Sequence, residues 1–123
     1  MSSSIEILKE AFFDTDHVLI ATDEADQYTA GCSDNAQNMW VKFYLITSNS
    51  KIIDAKYEVK GCQYLVALTS LFTNSIINQD IFCLADFDYQ SLVSLIDLPK
   101  NRQDRLFLLE DAVKDCINHF ERG

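Results

Sequence analysis

The chain has 123 residues, of which 48% are hydrophobic and 24% charged, with one proline, three glycines and a formal charge of −9. This composition predicts one globular domain over residues 1–123 and leaves little room for linkers or low-complexity tracts. The acidic excess repels polyphosphates, which argues against nucleic acid or an anionic membrane surface as a partner and favours a protein with a basic patch.

The N-terminal quarter divides into a helix and a polar loop. Serines precede an apolar pattern of helical spacing, which predicts a helix over residues 4–13. Residues 17–37, "HVLIATDEADQYTAGCSDNAQ", have the composition of a mobile loop leading into a strand. The acidic residues at 14–26 are typical of a solvated loop. The alternative is that they bind a basic partner. The first ten residues lack the basic start and the continuous apolar core of a signal peptide. The sequence therefore predicts a cytoplasmic protein.

From Asn38 the apolar residues alternate with a period of two, which is typical of strands. The turn residues "TSNS" separate two such runs, so the pattern predicts an antiparallel hairpin with one wet face. The residues expected on the apolar face are Met39, Val41, Phe43 and Leu45 in the first strand and Ile53, Ala55, Tyr57 and Val59 in the second.

Helical patterns fill the remainder of the chain. A helix follows Gly61, and residues 61–79 carry no charge but are too polar for a membrane span. A short helix or turn at 80–86, a helix at 88–97 ended by Pro99, and an amphipathic helix at about 102–121 come next. The sequence therefore predicts an α+β fold in which helices pack on one face of a three-stranded antiparallel sheet.

Four cysteines, Cys32, Cys62, Cys83 and Cys116, are spaced 30, 21 and 33 residues apart, and no Cys-x-x-Cys motif occurs. In a chain without an export signal this spacing argues against disulfides. Cys83 and Cys116 lie in apolar surroundings and are predicted to be buried hydrophobes. Cys62 opens a helix, where free N–H groups lower the pKa of a thiol; the alternative is a small residue filling a tight corner.

The two histidines, His17 and His119, show no partner pattern, which predicts surface or boundary positions. The sequence contains no nucleophile motif, no phosphate-binding glycine loop and no paired acid and base. We therefore do not expect an enzyme.

Three segments in chain order resemble the IscU/NifU N-terminal family of iron–sulfur cluster scaffold proteins, over roughly residues 30–121. The segment "KIIDAKYEVKGC" is similar to the family's strand leading into a helix that opens with Gly-Cys, which places Cys62 on the second ligand cysteine. The segment "GCSDNAQNMWVKFYL" resembles the family's Cys-Gly-Asp before its first long strand, with four extra residues at 35–38. This match places Cys32 and Asp34 on ligand positions.

The third segment, "LPKNRQDRLFLLEDAV", is similar to the family's Leu-Pro-Pro-Val-Lys, His-Cys and Glu-Asp-Ala segment without a gap. The His-Cys pair falls on Asp104-Arg105, so Arg105 replaces the third ligand cysteine. Pro-Val-Lys of the family's chaperone-recognition loop becomes Lys100-Asn101-Arg102. The resemblance thus implies a divergent member of the family.

The implied ligand set is degenerate and consists of Cys32, Asp34 and Cys62, with Asp104 as a substitute oxygen donor. Such a set suits an iron–sulfur cluster or zinc, and a metal-free protein is the alternative because the third cysteine is missing. The implied partner is a cysteine desulfurase or another iron–sulfur assembly protein. The resemblance allows a scaffold, a metal-free adaptor or regulator, or a zinc-binding domain, and it leaves the oligomeric state open.

Overall fold

A computed structural model describes the backbone of residues 3–122 and all of their side chains except those at positions 25, 83, 121 and 122. The predicted α+β class with a three-stranded antiparallel sheet is confirmed, and the strand order is β1-β2-β3. Short 3-10 turns occur at Ala25–Gln27, Ile81–Asp86 and Lys100–Arg102. The helices are α1 (Ser4–Phe13), α2 (Gln63–Ile76), α3 (Tyr89–Ile96) and α4 (Asp104–Arg122), and the strands are β1 (Thr29–Asp34), β2 (Trp40–Ser48) and β3 (Lys51–Lys60).

Helix α1 has the predicted bounds and the predicted serine cap. The Ser3 hydroxyl accepts a hydrogen bond from the Glu6 N–H at 3.2 Å, which satisfies one of the free donors of the first turn. Ala11 is the buried residue of this helix. Ile5 and Phe13, in contrast, remain 74% and 68% exposed. The helix therefore lies on the surface with apolar side chains in solvent.

Strands β2 and β3 form the predicted hairpin around a tight turn. Asn49 and Ser50 both have positive φ angles, of 53° and 66°, as the two-residue turns of twisted hairpins require. The prediction that Ile53 shares the apolar face was wrong. A register shift after Ile46 leaves Ile53 as an extra, 51% exposed residue and turns Ile52 into the core instead.

Strand β1 lies inside the segment predicted as a loop. It pairs antiparallel with β2 from Thr29 opposite Leu45 to Asp34 opposite Trp40. Its sequence, Thr-Ala-Gly-Cys-Ser-Asp, contains one β-branched residue, so local propensity does not favour a strand. A Cβ atom at Gly31 would lie 2.2 Å from the Cys116 backbone nitrogen, which shows how closely α4 packs on this strand.

Helix α4 also covers the outer edge of β1 through its side chains. The Asp115 carboxylate accepts a hydrogen bond from the Cys32 N–H at 2.9 Å, and the His119 imidazole donates to the Ala30 carbonyl at 2.8 Å. The buried Cys116 thiol donates to the Thr29 carbonyl at 3.1 Å. Backbone groups on the free side of the edge strand are therefore bonded to the helix.

The opposite edge of the sheet is covered by the segment after α1. The Leu19 N–H donates to the Tyr57 carbonyl and the Tyr57 N–H donates to the His17 carbonyl, both at 2.9 Å. The His17 imidazole donates to the Ala55 carbonyl at 3.1 Å. Both histidines thus take the predicted boundary or surface positions, and each caps an edge strand.

The core lies between the sheet and the helices on one of its faces, as predicted. Helix α2 is buried along most of its length, and the hydroxyls of Thr69 and Thr73 donate to the carbonyls of Leu65 and Thr69 at 2.8 and 2.7 Å. These bonds let polar residues sit in the core without an unpaired hydroxyl. No helix in the described part of the chain is long and apolar enough to cross a membrane.

We expect Gly31→Ala to lower the free energy of unfolding by about 2–3 kcal/mol, because the added methyl group meets backbone atoms of α4 that cannot move independently. Urea unfolding followed by circular dichroism measures the change. Gly61→Ala is the matched control, because its methyl group meets mainly the flexible tip of the Leu65 side chain. Equal stability of the Gly31 variant and the wild type would contradict this close packing.

Candidate functional site

Cys62 occupies the junction between β3 and α2. It is the N-cap residue of α2, with extended backbone angles (φ −75°, ψ 170°), and its carbonyl accepts the first bond of the helix from the Val66 N–H at 3.2 Å. Its side chain is half-buried and packs against the edge of the core. The sulfur therefore faces the unbonded N–H groups of the first helical turn.

Arg105 lies in the first turn of α4 beside Cys62. Its Nη1 atom is 2.6 Å from both carboxylate oxygens of Asp104, and its side chain is only 16% exposed. Its Nε atom is buried and has no hydrogen-bond partner among the described residues. A largely buried guanidinium and a neighbouring carboxylate thus occupy the corner where the third ligand cysteine was expected.

The surroundings of Cys62 favour its thiolate. Burial raises the pKa of the thiol, but the backbone N–H groups of Leu65 and Tyr64 and the Arg105 guanidinium together outweigh burial, and the pKa is lowered. The Asp104 carboxylate and the Cys62 sulfur in turn raise the pKa of Arg105. The pair can therefore present a nucleophilic, soft sulfur anion held next to a permanent cation.

Cys32 lies on the other face of the sheet. It is exposed, and its partner across the strands is Lys42, which points away from the core between the buried Val41 and Phe43. Cys32 and Asp34 line a groove of about 470 Å³ together with Trp40 and Lys42. This groove opens on the outer face, whereas Cys62 contacts the helices on the inner face.

Asp34 and Asp104 both line a second depression, of about 360 Å³, together with Asp111 and Phe107. Cys32 and Asp34 thus line one groove, and Asp34 and Asp104 line the second depression. Asp104 forms an ion pair with Arg105, which lies beside Cys62. It does not bring all four predicted ligands into one pocket. Within the described residues, no three His, Cys, Asp or Glu side chains are arranged to hold a metal ion.

The other two cysteines were predicted to be buried hydrophobes. Cys116 is fully buried on α4, and burial together with the Asp115 carboxylate raises the pKa of its thiol to about 12. Such a thiol is protonated and unreactive at neutral pH. The side chain of Cys83 is outside the described part of the structure, so its prediction stays untested.

Sequence reasoning missed the part of the site built by α4 at the edge of β1. Asp115 and His119 lie one helical turn apart, with the His119 Nδ1 atom 3.8 Å from the Asp115 carboxylate, and both contact the backbone around Cys32. The i, i+4 spacing of an acid and a histidine was the available signal. It could not reveal which strand these side chains would meet.

Residues 10–123 match the family model of the NifU-like N terminal domain. No curated protein matches the chain. The family model matches most of this chain, and the chain therefore belongs to the family of NifU-like N-terminal domains. The resemblance predicted from the sequence is confirmed.

Solved structures share this fold at low sequence identity. The N-terminal part of a nitrogen-fixing NifU-like protein from Brucella abortus superposes with a TM-score of 0.73 and 19% identity, over 97% of this chain and 96% of that chain. A putative iron–sulfur cluster assembly scaffold protein for the SUF system from Fervidobacterium islandicum gives 0.65 and 18%, over 92% and 93%. A hypothetical protein gives 0.60 and 15%, over 90% and 96%.

We expect Cys62 to be alkylated at a lower pH than an ordinary cysteine, because its lowered pKa keeps more thiolate at a given pH. Arg105→Gln removes a cation that stabilises the thiolate, so the pH profile of Cys62 alkylation should move upwards. Peptide mass spectrometry of iodoacetamide-treated protein measures the rate at Cys62 alone. Arg102→Gln, which removes a nearby cation that does not act on Cys62, should leave the profile in place.

Proposed function

We propose that this chain takes part in iron–sulfur cluster assembly as a scaffold-like protein with a degenerate ligand set. Of the donors that the resemblance implies, Cys62 is the one beside Arg105, whereas Cys32 and Asp34 line the groove on the outer face of the sheet. Asp104 is a substitute oxygen donor, and Arg105 replaces the third ligand cysteine. The cluster is cargo rather than a resident cofactor. Membership in the NifU-like N-terminal family supports the general role, and the proposal assigns no catalytic residue.

One observation carries the proposal: Cys62 is a thiol with a lowered pKa at the start of a helix. Iron bridged by sulfide binds best to soft, charged sulfur ligands, and a thiolate is also the form that accepts sulfur from a persulfide. Packing alone requires a small residue at this corner but gives no reason for a thiolate. The helix start and the guanidinium both act on the charge of the sulfur.

Arg105 limits what the site can hold. A guanidinium cannot donate an electron pair to iron or zinc, and its fixed positive charge repels a bare metal cation while it attracts an anion. The ion pair with Asp104 also occupies the carboxylate that would act as substitute donor. The present donor set therefore fits a sulfur-bearing anion or a partly ligated cluster better than a complete family-type cluster or a zinc ion.

The second candidate is a metal-free adaptor or regulator that binds a cysteine desulfurase or another assembly protein. The Arg105–Asp104 ion pair favours it, because that pair fills the corner expected for two ligands and holds it closed without a metal. In this reading the chain keeps the partner surface of the family while Cys62 serves as the contact for the desulfurase's sulfur.

Anaerobic reconstitution with iron and sulfide tests the scaffold proposal. We expect the wild type to show a weak sulfur-to-iron charge-transfer band that Cys62→Ala abolishes, because the thiolate at 62 is the principal remaining ligand. Arg105→Cys should strengthen the band by placing a second thiol beside Cys62, whereas Arg105→Lys should not. Cys116→Ala, which removes a buried thiol, is the control that should retain the band. A colourless wild type with free thiols at 32 and 62 would reject the proposal.

Calorimetry with a cysteine desulfurase tests the adaptor alternative. We expect the metal-free wild type to bind in the micromolar range, and chelator treatment to leave the binding unchanged. Absence of binding at micromolar concentrations of both proteins would count against the adaptor. Binding that appears only after iron and sulfide are added would favour the scaffold.

A further inference from the structure

A groove on the outer face of the sheet combines one charge of each sign with an aromatic ring. Its volume is about 470 Å³, and we call it the outer groove. The helices pack on the other face of the sheet, so this groove is separate from the thiol at the start of α2. The residues that line it are Cys32, Ser33, Asp34, Trp40 and Lys42.

Strand pairing fixes the two charged side chains of the groove relative to each other. Asp34 lies directly opposite Trp40, and Cys32 lies directly opposite Lys42. Asp34 and Lys42 are therefore diagonal neighbours on one face, with Cα atoms about 7–8 Å apart. The Asp115 carboxylate accepts a hydrogen bond from the Cys32 N–H at 2.9 Å, which holds the strand on the side away from β2.

Both charges of the groove are open to a ligand. The side chains of Asp34 and Lys42 are exposed, and none of the ion pairs found among the described residues uses either of them. The Lys42 Nζ atom lies 5.7 Å from the centroid of the Trp40 ring. This cation–π contact keeps the ammonium at the edge of the groove.

The charged residues on the neighbouring strand do not shift the balance. Lys60 lies opposite Trp40 and Glu58 lies opposite Lys42, which again gives one charge of each sign. Glu58 also accepts a hydrogen bond from the Tyr44 hydroxyl at 2.7 Å. The outer groove is therefore flanked on β3 by a second pair of opposite charges.

The acidic residues at the other side of the groove belong to separate depressions. Asp104 pairs with Arg105, and Asp115 is bonded to the edge of β1. Asp111 lines the depression that shares Asp34 with the outer groove. These carboxylates lie on the Asp34 side, where they add to the attraction for a positive group.

The pair of opposite charges selects the class of ligand. A simple anion would be attracted by Lys42 and repelled by Asp34, and a simple cation would meet the reverse. A molecule that carries both charges and an apolar part satisfies the whole groove, because the Trp40 ring and the methylene groups of Lys42 offer it apolar surface. A free α-amino acid is such a molecule, whereas an internal peptide segment carries neither charge on its backbone.

We propose that the outer groove binds a free α-amino acid with an apolar side chain. The ligand carboxylate pairs with Lys42, the ligand ammonium pairs with Asp34, and the ligand side chain packs on the Trp40 ring. Exposed ion pairs contribute little each, so we expect a dissociation constant of about 1 mM. The proposal assigns no reaction to this site.

The fluorescence of Trp40 tests the proposal directly, because it is the only tryptophan of the chain. L-leucine is the ligand used, and we expect a saturable change in tryptophan emission. N-acetyl-L-leucine lacks the ammonium and L-leucinamide lacks the carboxylate, so each should bind about three- to fivefold more weakly. Amide chemical shifts locate the site, and we expect changes at residues 32–34 and 40–42.

Variants assign each charge of the ligand to its partner. Lys42→Met should weaken L-leucine about three- to fivefold without weakening L-leucinamide, which has no carboxylate to lose. Asp34→Asn should weaken L-leucine to a similar extent without weakening N-acetyl-L-leucine. Lys9→Met and Glu10→Gln remove the same kinds of charge from exposed positions on α1 and are the matched controls, which should bind as the wild type does.

Three results would each overturn the proposal. They are the absence of a saturable change up to tens of millimolar L-leucine, equal binding of L-leucine and its two analogues, and chemical-shift changes that map away from β1 and β2. Circular dichroism of the variants shows that their fold is intact. The titrations contain no iron, sulfide or desulfurase, so failure here leaves the proposed assembly function untouched, and failure of reconstitution leaves this proposal untouched.

Discussion

The structure depends on the direct backbone contact between β1 and α4. Gly31 lets the strand approach the helix so closely that a methyl group there would lie 2.2 Å from a backbone nitrogen of α4. Asp115, Cys116 and His119 then bond the same strand from the helix. Because α4 is fixed to the sheet along this line, its first turn is fixed too, and that turn carries Asp104 and Arg105 to the start of α2.

The consequence for chemistry is that one cation sits where a metal ligand was expected. Arg105 and the helix N–H groups lower the pKa of Cys62 and so favour the negatively charged form of its sulfur. In a metal site the same charge would be balanced by iron or zinc. Arg105 therefore acts on the Cys62 sulfur in the direction in which a bound cation would act, and this is compatible with both the scaffold-like and the adaptor proposals.

Much of the fold could be predicted from periodicity. The alternation of β2, the bounds of α1 and the apolar stripe of α4 are local patterns, and the structure confirms them. Strand β1 could not be predicted, because Thr29–Asp34 forms a strand through its contacts with β2 and α4 rather than through its own propensity. The prediction for Ile53 was wrong because a bulge changes the register of β3 against β2. The alternation of apolar residues in the sequence does not indicate where such a bulge occurs.

The candidate site was predictable in its parts and not in its assembly. Cys62 and Arg105 each belong to a short sequence motif at the start of a helix. Their positions in the fold therefore follow from the positions of α2 and α4. Whether Cys32 shares their pocket depends on which way a single side chain of β1 points. Its pairing with Lys42 turns it to the outer face, and that parity is set by tertiary contacts.

The covered edges of the sheet limit how this protein can meet other proteins. With Leu19 paired to β3 and α4 bonded to β1, an incoming peptide finds no ready template for β-augmentation at these positions. The same covering opposes edge-to-edge aggregation at these positions. At these positions another protein would therefore have to contact side chains, on a chain with a net charge of −9, rather than pair with free backbone groups.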